Sequence, residues 1–163
     1  MIAATSPRNT LAAEELRVRP GADGVSVSVD PGRAGWRYLS FDVVDAQPGR
    51  RFDTPGSEAA VVVLSGRDVA VECGGSRWVL EGRANPFDGL PWAVWLPDAA
   101  GLTVSSRDRA TVAVARAPRS GGDGVAAEPI LVTPDDVDVE VRGAGNASRQ
   151  INHIVKPGFP ADR

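Results

Sequence analysis

The chain has 163 residues, 42% hydrophobic and 24% charged, with 18 glycines and 13 prolines; that is enough for one domain with its own core, and too many helix breakers for a bundle. Eighteen basic against 21 acidic side chains give a net charge of −3, no footprint for a nucleic acid. No stretch approaches the roughly 18 apolar residues of a membrane span, and no charged segment followed by an apolar run opens the chain, so the expectation is a cytoplasmic protein with neither nucleic-acid nor membrane partner.

Residues 1–23 read as an extended N-terminal segment, in which Asn9 can cap a short helical turn over residues 11–16. Beyond it the period is two. Val25, Val27 and Val29 alternate with serines, and Leu39, Phe41 and Val43 alternate with Ser40, Asp42 and Val44; each run predicts a strand with one wet face. Residues 59–64, 92–96 and 110–115 are continuous apolar runs of strand length, predicted to be buried on both sides. Turn signals fall between the runs, at Asp30-Pro31-Gly32, Gln47-Pro48-Gly49, Ser65-Gly66, Gly74-Gly75, Asn85-Pro86 and Pro97-Asp98. Residues 118–128, rich in Gly and Ala, predict a flexible connection. Thr133-Pro134-Asp135-Asp136 has the order of a helix start, but Val137, Val139 and Val141, alternating with Asp138 and Glu140, return at once to period two. The predicted class is all-β with little helix, either a sandwich or a closed barrel.

The chemistry is constrained by what is scarce. Imidazole nitrogen and carboxylate oxygen suit catalytic divalent metals, but the chain holds one histidine, His153. No His-x-His pair, cysteine pair or facial triad can be assembled, so no metal ligand and no cofactor is expected in this chain. Asp135-Asp136-x-Asp138 reads as a solvated strand entrance, because it lacks a calcium-loop pattern. A serine hydrolase would need a Gly-x-Ser-x-Gly elbow, and Gly121-Gly122-Asp123-Gly124 lacks the Lys-Ser/Thr of a phosphate loop. Cys73, the one cysteine, reads as a small buried hydrophobe. His153 as base with Tyr38 as acid is the one metal-free catalytic pair available; the plainer expectation for His153 is a surface or interface histidine. Trp36, Trp78, Trp92 and Trp95 are expected in core or interface. Arg37, Arg116, Arg142 and Arg149 offer the bidentate donors that a carboxylate ligand requires.

Several stretches, taken in order, resemble the N-terminal half of the 5-deoxy-glucuronate isomerase family, bicupin enzymes of myo-inositol catabolism. They are Ala34-Gly35-Trp36-Arg37-Tyr38-Leu39, Val61-Val62-Val63-Leu64-Ser65-Gly66, Asn85-Pro86-Phe87-Asp88-Gly89-Leu90-Pro91-Trp92, and Val132-Thr133-Pro134-Asp135-Asp136-Val137 leading into Arg142-Gly143-Ala144-Gly145-Asn146-Ala147-Ser148-Arg149. The last run is the most diagnostic, because its glycines permit a tight path while its arginines and asparagine offer fixed donors.

The resemblance implies a single cupin-type β-barrel (double-stranded β-helix, or jelly roll) with its core over residues 24–117. It implies C-terminal strands over 129–163 leading toward a second barrel, where such families place their metal ligands. The implied activity is isomerisation of an aldehyde sugar acid to its ketose, with no catalytic residue carried over to this chain. Residues 140–155 would leave Ile151, Ile154 and Val155 exposed unless they fold back, and so predict a homo-oligomer or a partner barrel. The reading from a different class is a non-catalytic module that binds a sugar acid or dimerises.

Overall fold

The structure is a computed structural model that describes residues 18, 20–21, 24–119 and 127–161. The expected segment 1–23, with its turn capped by Asn9, lies almost wholly outside the described residues, as does most of the connection 118–128.

The alternating valine-rich sequence becomes antiparallel strands in chain order: β1 (Val25–Val29), β2 (Ser40–Asp45), β3 (Arg50–Thr54), β4 (Ser57–Cys73), β5 (Ser76–Arg83), β6 (Ala93–Leu96), β7 (Ala99–Ser105), β8 (Thr111–Pro118), β9 (Ile130–Val132), β10 (Asp138–Arg142) and β11 (Arg149–His153). Among the described residues helix is confined to single turns. The first, α1 (Pro31–Ala34), is capped by Asp30, whose Oδ1 accepts from Arg33 N at 3.0 Å. Another, a 3-10 turn at Pro134–Asp136, carries the predicted cap: the Thr133 amide donates to Asp136 Oδ2 at 2.8 Å. The expected solvated strand entrance is therefore a capped turn that feeds β10.

The longest strand organises the rest. The first half of β4 lies between β8 and β6 in the order β1-β2-β8-β4-β6-β9, and its second half lies between β7 and β5, with β3 beyond β7. Two antiparallel sheets thus share one strand and close around a core that includes Val44, Val61, Val63, Val71, Leu80, Leu96, Leu102 and Val112. This is the all-β, cupin-like barrel that the sequence predicts. The apolar runs at 59–64, 92–96 and 110–115 fall in or beside β4, β6 and β8, and all four residues of β6 are buried.

Three expectations need correction. Ser65-Gly66 is not a turn but a bend inside β4. Gly66 has φ +103°, and a Cβ there would lie 2.4 Å from the Ala110 Cβ; across the pair, a Cβ on Gly82 (φ +80°) would lie 2.1 Å from the Gly66 carbonyl oxygen. Bare backbone at both positions lets β4 pass from one sheet to the other. In β2 the expected wet face is the inner one: Asp42 and Val44 are buried while Leu39, just before the strand, is exposed, because a counter-charge on β8 receives Asp42. In β10 both faces are wet, Val139 and Val141 being 48% and 70% exposed.

The C-terminal part folds back in two pieces. β9 pairs with β6 at the edge of the barrel sheet. β10 and β11 form a separate hairpin, tied down at its base, where Val137, Ile154 and Phe159 pack with Ala93 and Val132. Ile154 is thereby half-buried and Val155 stays exposed.

Candidate functional site

The candidate arginines divide between the barrel interior and the hairpin. Arg116 sits on β8 opposite Ser40 on β2 and Ala59 on β4, a register that turns it inward with Val114 and Val112. Its guanidinium pairs with the Asp42 carboxylate, with side chains 16% and 10% exposed, and lies over the Phe52 ring, with Cζ 5.3 Å from the centroid. The Arg116 Nε is buried without a hydrogen-bond partner. Arg37 is exposed and rests over Tyr38, its Cζ 5.0 Å from that ring.

On the hairpin, pairing sets Arg142 opposite Arg149, Glu140 opposite Ile151 and Asp138 opposite His153, so these six side chains share one face. Arg142 Nε donates to Glu140 Oε1 at 2.6 Å, and His153 Nε2 lies 3.2 Å from the other oxygen. Arg142 first, then His153, holds the Glu140 carboxyl below the usual carboxylate range. Lys156 Nζ reaches Asp138 Oδ1 at 3.0 Å. Arg149 is exposed and, among the described residues, enters no ion pair. Arg142 and Arg149 lie directly opposite each other in the ladder, an arrangement in which like charges repel.

No hydrogen bond joins His153 to Tyr38: the first belongs to the hairpin cluster, the second precedes β2. Of the four candidate arginines only Arg142 and Arg149 come together. Among the described residues no three His, Cys, Asp or Glu side chains gather as metal ligands, and with one histidine in the chain the donor set does not fit a cupin metal ion. Cys73 is buried, its Sγ 3.2 Å from the Asp98 carbonyl, and burial followed by the Asp98 charge pushes its thiol up. Trp78 and Trp92 pack on the core, Trp95 meets Phe159 edge-on at 6.2 Å, and Trp36 is exposed.

Sequence reasoning missed Arg83. This buried arginine at the end of β5 has no carboxylate partner among the described residues; it donates to the carbonyls of Val63 (3.1 Å), Pro86 (3.2 Å) and Gly89 (3.0 Å), and burial pushes its guanidinium down. It clamps the loop of residues 84–92, in which Asn85 Oδ1 also accepts from Phe87 N at 2.9 Å. The available signal was an arginine two residues before an Asn-Pro turn, with a glycine and a second proline closing the loop.

The KduI/IolB family model matches residues 14–163, which is nearly the whole chain. The chain belongs to the KduI/IolB family. Within that family it is 33% identical over 147 residues to a 5-deoxy-glucuronate isomerase of Geobacillus thermodenitrificans, covering 88% of this chain and 52% of that protein. The corresponding protein of Geobacillus kaustophilus is 33% identical over 148 residues, at 88% and 51% coverage. Among solved structures, an IolB-like protein from Salmonella typhimurium superposes with a TM-score of 0.75 at 27% identity, over 87% of this chain and 54% of that one. A glyoxylate-induced protein from Pseudomonas aeruginosa shares the fold at a TM-score of 0.53 and 17% identity, over 75% of this chain and 45% of that one. This KduI/IolB chain thus spans about half the length of the relatives it matches. No helix among the described residues is long and apolar enough to cross a membrane.

Proposed function

We propose that this chain is a cytoplasmic cupin half-unit of the 5-deoxy-glucuronate isomerase type, supplying scaffold and assembly surface for aldose–ketose isomerisation of a sugar acid while another barrel supplies the metal ligands. One observation carries the reading: the single histidine is engaged with Glu140 on a peripheral hairpin, whereas the barrel interior is packed with aliphatic side chains around an internal Asp42–Arg116 pair. Residues 140–155 serve assembly, with a second copy or a partner barrel. The test is turnover of 5-deoxy-glucuronate by the purified chain, with and without added divalent metal, beside an active two-barrel relative. No turnover is expected; metal-dependent turnover would overturn the reading.

A second reading, a sugar-acid-binding module, is favoured by Arg149, exposed beside Arg142 with no anion of its own. Here a glucuronate-type acid is expected to bind saturably in calorimetry, with its heat lost in Arg149→Ala; no heat in the parent chain removes this reading.

A further inference from the structure

The Arg83 clamp holds its loop by carbonyls and leaves one step of that loop chemically open. Asp88-Gly89 is the one Asp-Gly step among the described residues, and both members are exposed. The Asp88 carboxyl makes no hydrogen bond or ion pair with any described residue. The Asp88 amide is engaged, donating to Asn85 O at 3.0 Å, but the Gly89 amide that follows has no acceptor among the described residues. Gly89 holds φ +79°, and a Cβ built there would meet nothing within 4 Å, so its nitrogen is unshielded. On the far side of the same residue, the Gly89 carbonyl accepts from Arg83 Nη1 at 3.0 Å. A free carboxyl therefore sits next to a free, unshielded amide, directly before one of the carbonyls that close the loop.

We propose that Asp88 is a site of spontaneous covalent modification, closing onto the Gly89 nitrogen as a succinimide that reopens to isoaspartate and undoes the clamp. In the first step the Gly89 nitrogen loses its proton and bonds to Asp88 Cγ, while the hydroxyl of the protonated carboxyl leaves as water. In the second, water adds to either ring carbonyl. Attack at Cγ restores aspartate; attack at the former backbone carbonyl breaks that C–N bond and leaves the chain running through Cβ and Cγ. One water leaves and one enters, with no oxidant, reductant or cofactor. The rerouted backbone is longer by one carbon, roughly 1.5 Å, and the 3.0 Å bond from Arg83 to the Gly89 carbonyl is no longer a hydrogen bond once stretched by a fraction of that. The chemistry needs neither a ligand nor a second barrel and is independent of the scaffold reading.

The test is storage of the folded chain at neutral pH, with isoaspartate measured by enzymatic carboxyl methylation and placed by peptide mapping. It is expected to accumulate at Asp88 ahead of every other described aspartate, and Asp88→Glu, which cannot close the same ring, should remove that signal. Converted molecules should be cut by chymotrypsin after Phe87 about ten-fold faster than fresh ones, whereas stored Asp88→Glu should be cut no faster than fresh Asp88→Glu. Isoaspartate that forms at Asp88 no faster than at Asp98, or only after unfolding in denaturant, overturns the proposal. Isoaspartate that leaves chymotrypsin cleavage unchanged overturns it as well.

Discussion

Asp42 and Arg116 satisfy each other in a place with little water. Asp42→Ala leaves a guanidinium buried without its counter-charge and is expected to cost about 3–5 kcal/mol in chemical denaturation. Replacing the pair together, Asp42→Leu with Arg116→Met, should cost less than either single change, because two desolvated charges are removed along with their attraction. Arg83 obeys different rules, since its partners are carbonyls. Arg83→Met orphans three of them and is expected to cost about 2–3 kcal/mol, and chymotrypsin should then cut after Phe87 faster than in the parent chain. The sequence marks Arg116, Arg142 and Arg149 as candidates without separating a buried pair from a free donor. That distinction depends on Asp42, 74 positions from Arg116 along the chain, and on a strand register. Arg83 escaped because an arginine ahead of a turn looks solvated until the loop folds over it.

At the level of elements, period two located β1, β2 and β10, the continuous apolar runs located β6, β8 and the first half of β4, and the alternation in β2 pointed the wrong parity inward. Leu39, Phe41 and Val43 read as the parity to bury, but Arg116 on β8 supplies a counter-charge to Asp42, and the partner strand thereby turns Asp42 and Val44 inward. Ser65-Gly66 was legible as a break in ordinary strand backbone, yet a bend and a turn share that signal. Because the bend requires two bare glycines in contact, Gly82→Ala is expected to cost about 3 kcal/mol or more, measured as a lowered denaturation midpoint, whereas substitution at Gly56, where an added Cβ meets nothing within 4 Å, bears only backbone strain. The β10–β11 hairpin should respond to acid. Glu140 is held below its ordinary range by Arg142 and His153; its contribution is present above the unfolded carboxylate pKa and is lost as pH falls through the lowered folded value. Loosening of the hairpin, seen in the amide signals of Ile151 and Asn152, is therefore expected below about pH 4, and Glu140→Gln should remove that step.

For the molecule as a whole, the class and the barrel were readable from alternation and from ordered motifs, which record the core and the turns that build it. Assembly was only partly readable. The run at 140–155 was recognisable as surface in need of cover, and the structure covers Ile154 from within the chain while leaving the valine face of the hairpin open. Phe87 went unremarked as a surface residue because an aromatic between Pro86 and Asp88 gives no sign of its direction until the loop is closed.

The sharing of β4 between both sheets has a consequence for how the protein opens. Neither sheet can detach without pulling out the strand that also belongs to the other. Local opening is therefore expected first in the hairpin and the loops. The β4 amides flanking Gly66 should exchange with deuterium only through complete unfolding; their slowest rates, converted to free energy, should equal the global stability from denaturation, making one strand an internal gauge of the whole fold.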